Sequence, residues 1–579
     1  MKIETGIQET NITEPMELPR LLRNERHFVI PNGTDLLNLG KWARDHNYYL
    51  CTLAATDERL HEERTFKLYY ILSAPDESEL VILEFPISDP KNPVYPSLRN
   101  PFPAVIPLEK EIYDMFGVKP EGEPLDSADG FFLHASVYQA DEPLYPLRRS
   151  RPMKMLHKII EDWAKPNPKQ KAEKMQLPDG MLILPVGPIH AGVIEPGHFR
   201  FHVAGEVIEE LSLRLGYKHR GIEKLFETHY TLENGWELAE KVSGDSSFAH
   251  SLAYCQAIEC IAGVTSPQSA LYRRGLFLEL ERIYNHIADV GALAHDMAYD
   301  KVASPIAALR ETMAQFNQRL GGHRLLRKIN RPGGVVLPSS VDDLQKTRRI
   351  VEAVTDEFLA FGEYLMENPE CRERMLKAGI LTSEEAKNAT GLAARASGWF
   401  KHDFRLRHPQ GAYKDSEAQE ILRATIVPED EEYSNRQVPI YPHDLQGDVF
   451  ARMAMRVAEV ETSANLVKYF IQKLQSLNPK EPSYVPIEEE LHNATNMDIG
   501  LGYVEGWRGD IVYFVVKGPG DTIFRCKVRD PSLFNWHIFS QTVIRKTKEN
   551  APQQYLENTL ADFPLINKSF NLSYAGHDL

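Results

Sequence analysis

The hydrophobic pattern of this chain changes period part-way along, and that change restricts the fold more than any other feature. Between about Phe28 and Pro86 the apolar residues fall in short β-rich runs at 48–53, 66–72 and 80–85, parted by polar turns rich in Asp, Glu, Ser and Pro. This reads as an antiparallel sheet, with a helix over residues 35–47 before it. From Glu206 to about Leu320 the period becomes helical. Within 271–294, Leu276, Leu280, Ile283 and Ile287 recur at three- and four-residue steps and share one face. Further helices are expected over 341–367 and 447–475. Strands return over 503–530, with Gly518-Pro519-Gly520 as a hairpin turn.

The fold class that follows is α+β: a small N-terminal α+β domain, then a large, mostly α-helical domain with peripheral β-strands. The polar residues 1–25 read as a flexible arm and 26–150 as the first domain, proline- and loop-rich from 101 onward. The basic, polar stretch 151–180, with Lys165-Pro166-Asn167-Pro168-Lys169, reads as a linker, and 181–579 as the second domain.

Acidity excludes some partners. Lys and Arg number 66 against 82 Asp and Glu, a net charge of −16. A nucleic acid or an anionic membrane surface favours the opposite sign, so no nucleic-acid partner is expected. No apolar run approaches the roughly 20 residues that span a bilayer, and Met1-Lys2-Ile3-Glu4-Thr5 opens no apolar signal region. The expected location is therefore the cytoplasmic side. Five cysteines, at 51, 255, 260, 371 and 526, form no Cys-x-x-Cys pair. That argues against a disulfide framework and against an iron–sulfur cluster held by this chain alone.

Three segments carry a family resemblance. Glu109-Lys110-Glu111-Ile112-Tyr113-Asp114-Met115-Phe116-Gly117, with Tyr145-Pro146-Leu147-Arg148-Arg149 behind it, resembles the complex I 30-kDa subunit. Ile194-Glu195-Pro196-Gly197-His198-Phe199-Arg200-Phe201, followed by Tyr217-Lys218-His219-Arg220-Gly221-Ile222-Glu223-Lys224, is similar to the start of group 4 (energy-converting) nickel–iron hydrogenase large subunits. Residues 391–413, with Arg395-Ala396-Ser397-Gly398 and His408-Pro409, resemble the complex I 49-kDa subunit. The order of the segments is that of formate hydrogenlyase-like large subunits.

The resemblance carries a contradiction inside it. The family's first Cys-x-x-Cys pair falls on Ser243 and Ser246, and the second on Ser573 and Gly576. Nickel in such a site is held by thiolates, which are soft and ionisable; a serine hydroxyl is a hard, neutral oxygen and glycine offers nothing. Ser243, Ser246 and His250 are expected on one helix face. A quinone site is also altered, with Gly244 at the family's tyrosine position and Ile194 near its histidine, although His190 or His198 lies close enough in sequence to substitute.

What the resemblance retains is a candidate set for other chemistry. Glu223 looks like the hydrogenase proton-relay carboxylate, or else pairs with Arg220, Lys224 or Lys218 as a structural ion pair. His250 would handle protons, Arg508 would orient a substrate, and Arg529 lies in a second loop facing the site. A zinc site from His190, His198 and His202, or a nucleophilic Ser246, has less to support it.

The resemblance implies a core subunit of a membrane-bound, ion-translocating oxidoreductase complex, peripheral on the cytoplasmic face of the inner (cell) membrane. It implies no nickel–iron centre and no cofactor bound by this chain, with iron–sulfur clusters in partner subunits. Its expected partners are an iron–sulfur small subunit on the Ser243/Ser573 side and a membrane arm of antiporter-like subunits. A non-catalytic scaffold, and a quinone-reducing, NADH dehydrogenase-like subunit with a relocated quinone site, remain as rival readings.

Overall fold

The computed structural model describes residues 16–17, 25–122 apart from 62–63 and 76–79, 145–150, 180–336 apart from 193, 343–425 apart from 400–401, 440–544 apart from 441 and 479, 546–548 and 551–579. Nearly all of the expected arm and linker lies outside the described residues.

The first unit is a five-stranded sheet backed by helices. Strands β1 (Met16–Glu17), β2 (Glu25–Val29), β3 (Tyr49–Asp57), β4 (Phe66–Ser73) and β5 (Leu80–Pro86) lie in the order β1-β2-β5-β4-β3. Between β2 and β3 runs helix α1 (Gly33–Asp45), capped by Asn32, whose side chain accepts the Asp35 N–H at 3.0 Å. The sheet is mixed, not purely antiparallel, because β2 pairs parallel to β5 through the crossover that α1 and the β3–β4 hairpin supply. A helix, α2 (Ile106–Phe116), stands where sequence reading expected loops. Its one proline, Pro107, falls in the first turn, where a missing N–H leaves no bond unmade.

The second unit opens with an antiparallel sheet of β6 (Met181–Val186), β7 (His198–Ala204) and β8 (Val207–Arg214). Residues 207–214 were expected to be helical and are instead a hairpin strand, since only Ile208 and Leu211 of that run are buried and Gly205 turns the chain at φ +65°. Helix α3 (Ile222–His229) follows, then α4 (Ser247–Ala262), α5 (Gln268–Asp296), α6 (Asp300–Gly321), α7 (Asp343–Glu367) and α8 (Val449–Ser476). The strands β9 (Ile499–Glu505), β10 (Asp510–Lys517) and β11 (Ile523–Arg529) form an antiparallel meander, and helices α9 (Pro531–Val543) and α10 (Tyr574–Asp578) close the chain. Helix α4 lies so near β9 that a Cβ on Gly502 would stand 1.8 Å from the Ala253 carbonyl oxygen, and one on Gly500 2.0 Å from that of Ala257.

The meander is the wall shared by the two units. Along β10, Ile511, Tyr513 and Val515 enter the helical core, while Val512, Phe514 and Val516 enter the core of the first unit. A period of two thus builds both cores from one strand. Polar bonds pin the wall: Arg529 Nε donates to Cys51 O at 2.7 Å, and Arg525 Nε to Ala55 O at 2.9 Å.

The helical core also buries charge. Glu279 meets Arg282 and Arg405, both at 3.1 Å, while Arg395 joins Glu459 at 2.8 Å to Glu505 at 2.6 Å. Such groups are tolerated only when paired and hydrogen-bonded.

Candidate functional site

The turn 243–246 runs directly into α4, and the segment 571–576 runs into α10. Ser243 and Ser246 thus precede α4 and Ser573 precedes α10, while Gly576 lies inside α10; Ser246 O accepts the His250 N–H one turn on, at 3.0 Å. Ser246 occupies the position before the first helical residue, and Ser573 caps α10 by accepting the Gly576 N–H at 2.9 Å.

Ser243 and Ser573, 330 residues apart in the chain, are hydrogen-bonded Oγ to Oγ at 2.9 Å. Ser243 also donates to Asp245 Oδ1 at 3.0 Å. A hydroxyl has one hydrogen, so Ser573 donates to Ser243 and Ser243 passes the series on to the carboxylate. Arg508 closes the other side, with Nη1 and Nη2 donating to Asp245 at 2.7 and 2.6 Å and Nε donating to Asn571 O at 2.5 Å. Its guanidinium also stacks over Trp507, 3.9 Å from the ring centre. Three of the five guanidinium N–H groups are engaged in these hydrogen bonds, so the side chain is aimed at Asp245 and Asn571. Ser246 Oγ lies 3.5 Å from Arg508 Nη1.

His250 is wholly buried beneath this cluster. Its Nε2 lies 3.0 Å from Asp530 Oδ2 and its Nδ1 3.0 Å from the Tyr513 hydroxyl. A carboxylate only accepts, so Nε2 carries the hydrogen and Nδ1 accepts from Tyr513. Burial alone would raise the Asp530 carboxyl, yet His250, Arg508 and the Ser532 side chain hold it below its ordinary value. Asp245 behaves alike: burial opposes ionisation, and Arg508 and Ser243 more than offset it.

These residues do not fit a nickel–iron group. No thiolate is present, and the two facing oxygens are spent on each other. A Cβ added at Gly576 would lie 2.5–2.8 Å from the Asp530 carboxylate atoms. Among the described residues no three His, Cys, Asp or Glu side chains gather as a metal site. The zinc grouping is not formed: His190 Nε2 bonds Gly197 O at 2.7 Å, and His202 pairs with Glu210 at 3.2 Å.

Glu223 stands elsewhere, at the wall between the units. Arg525 reaches it at 2.6 Å, Lys527 at 3.2 Å and the Val528 N–H at 3.1 Å. Burial alone would raise this carboxyl, but the two cations hold it below its ordinary value, contrary to the raised pKa expected of a relay. It is an ion pair, and its partners come from β11 rather than from Arg220, Lys224 or Lys218. Arg220 instead donates to the Lys241 and Val242 carbonyls. Arg529 belongs to the same wall, bonded to Asp510 and Cys51 O. Sequence reading missed Asp245, Asp530 and Asn571; the signal for Asp530 was an Asp directly before Pro531, a helix-capping pattern.

Comparison with known proteins agrees with this architecture. Residues 32–155 match the family described as respiratory-chain NADH dehydrogenase, 30 Kd subunit. Residues 296–551 match that described as respiratory-chain NADH dehydrogenase, 49 Kd subunit. The chain belongs to the fused 30-kDa and 49-kDa subunit family. The segments 243–246 and 571–576 of this fused protein fall outside the matched residues.

Formate hydrogenlyase subunit 5 of Escherichia coli (strain K12) is 28% identical over 542 residues, covering 92% of this chain and 84% of that protein. The C/D 2 subunit of NADH-quinone oxidoreductase from Aquifex aeolicus (strain VF5) is 26% identical over 566 residues, covering 88% and 89%. A chain in the structure of the membrane-bound sulfane sulfur reductase, an archaeal respiratory membrane complex, shares the fold with a TM-score of 0.58 and 22% identity, over 70% of this chain and all of that one. The fused protein is thus a core component of complex I-like, group 4 hydrogenase-type membrane complexes. None of its described helices is long and apolar enough to cross a membrane.

Proposed function

We propose that this protein works without a nickel–iron centre and that its former metal pocket is a structural junction between the two segments that once supplied ligands. The observation that carries the reading is the Ser243–Ser573 contact of 2.9 Å under the Asp245–Arg508 clamp. It ties the turn before α4 to the end of the chain by hydrogen bonds in place of a metal. On this reading electrons pass through iron–sulfur clusters of a small partner subunit, and the fused chain links that partner to ion translocation by an antiporter-like membrane arm. This is the scaffold-and-coupling alternative, favoured because Arg508, His250 and Glu223 are each bonded to other side chains of the protein itself.

An exposed apolar row supports partner docking on this reading. On edge strand β6, Leu182, Leu184 and Val186 alternate outward with exposures of 62%, 37% and 42%, and Ile189 in the following loop is 76% exposed. A row of apolar side chains on an unpaired strand edge is a recognition surface when covered and an aggregation hazard when bare. The iron–sulfur small subunit is its proposed occupant. Co-purification of the complex from its native membrane tests this: L184E with I189E is expected to release the small subunit, and full retention contradicts the assignment.

A second reading rests on a separate cavity of about 430 Å³ between α4, α5, β9 and residues 404–414, lined by Gln256, Glu259, Arg274, Tyr413 and Tyr503 among others. Its size falls in the range of small-molecule sites, roughly 300–1,000 Å³. If the electron acceptor binds there, turnover of the complex falls in a cavity-filling A412F variant while the Arg508 variants keep it.

A further inference from the structure

The wall between the two units holds a group that the site above does not use. Glu111, on α2, is 4% exposed, and its Oε1 accepts from Lys527 Nζ on β11 at 2.5 Å. The same ammonium serves Glu223 on α3 at 3.2 Å. The two carboxylates are unequally supplied: Glu223 also has Arg525 and the Val528 N–H, whereas Glu111 Oε2 is buried with no hydrogen-bond partner among the described residues. A buried oxygen left so costs more as part of a carboxylate than as a neutral hydroxyl, whose O–H a water in reach would accept.

Beside it lies a cavity of about 30 Å³, lined by Glu111, Met115, His219, Glu223, Lys224 and Leu579 among others. About 10–15 Å³ suffices for one water when polar partners surround it.

We propose that Glu111, Lys527 and Glu223 form a proton-exchange site at the junction of the two units, in which Glu111 Oε2 carries the exchangeable proton. On release the O–H bond of Glu111 breaks, the proton passes to solvent in the cavity, and the carboxylate left behind is held by Lys527. Uptake is the reverse, with no change of oxidation state. The surroundings agree. Burial pushes the Glu111 carboxyl up to about 7, with Glu223 adding and Lys527 and Arg525 opposing.

Other charged groups stand on the packed elements, and His219 and Lys224 line the cavity itself. Glu227 meets Arg525 at 3.3 Å; Asp57 on β3 pairs with Arg59; His537 on α9 lies beside Lys110 and is held down to about 4 by burial. Lys224 is held below its ordinary value by burial, and His219 likewise, its Nδ1 meeting Asp578 O at 2.7 Å. This inference goes beyond the docking reading and stands whether or not the former ligand positions hold metal.

Infrared titration of the purified full chain in heavy water reads the proton directly through the carboxylic C=O stretch. The difference between wild type and E111Q is expected to show one carboxyl titrating near neutrality. In E223Q, Lys527 serves Glu111 alone and a like charge is gone, so that midpoint is expected to fall by about one pH unit, a tenfold weaker hold on the proton. No titrating amplitude in the wild-type-minus-E111Q difference overturns the assignment. So does an unmoved midpoint in E223Q, which keeps the test intact if E111Q does not fold.

Discussion

Replacing Arg508 by alanine removes the clamp beside the Ser243–Ser573 contact, and the structure sets the size of the effect. Two donors to Asp245 and one to Asn571 O are lost, at 2.7, 2.6 and 2.5 Å. Asp245 is 39% exposed at its side chain, so water replaces part of the ion pair and the pair itself is worth about 1–2 kcal/mol, between exposed and buried values. The Asn571 carbonyl, next to buried Ser573, loses a charged donor at a cost of roughly 1.5 kcal/mol. The sum is about 3 kcal/mol. Spread over a cooperative unit of ~400 residues at roughly 2.1 cal/mol/K each, it lowers Tm by ~4 °C.

Scanning calorimetry of the full chain at pH 7 measures the shift, and a double-mutant cycle with D245N isolates the pair. The sign with pH follows from Asp245, whose folded value lies below its unfolded value of about 3.9. The stabilisation is complete above that unfolded value and is lost as pH falls through the folded one, so the gap between wild type and R508A narrows below about pH 4. An unchanged Tm, or single effects that add to within about 0.5 kcal/mol, refutes the clamp.

Other consequences follow from the same geometry. S573A removes both the Ser243 contact and the cap of α10, leaving the Gly576 N–H buried and unmet; chemical denaturation is expected to report a loss of about 2 kcal/mol. G576A drives a Cβ into the Asp530 carboxylate and is expected to cost about 1–3 kcal/mol by the same measurement, because Asp530 is fixed by His250 and Ser532. E223Q leaves Arg525 with Glu227 and Lys527 with Glu111, so its cost is expected near 2 kcal/mol rather than the 3–5 kcal/mol of a fully orphaned buried pair; calorimetry resolving no loss contradicts the ion-pair assignment.

Much of this molecule is legible in its sequence because burial imposes period. The helix carrying Leu276, Leu280, Ile283 and Ile287 runs from Gln268 to Asp296, and the 503–530 segment is a meander turning at Gly518–Gly520. The strand over 207–214 was illegible because two adjacent glutamates interrupt the alternation and the hairpin partner lies outside the run. Helix α2 was hidden by Pro101 and Pro103 before it and Pro107 in its first turn. At the site, chemical type was readable and pairing was not. Serine in place of cysteine is plain from the letters, but nothing local says that Ser243 meets Ser573 or that Asp245 takes Arg508. The ion-pair partners of Glu223 were unreadable for the same reason, since Arg525 and Lys527 reach it from 302 and 304 residues away through the shared wall.

The central claim is that hydrogen bonds occupy the place of a metal. The most direct measurement is the nickel and iron content of the complex purified under anaerobic conditions, per mole of this protein. The account predicts iron in the amount carried by the partner clusters and no stoichiometric nickel. One nickel per chain would contradict it.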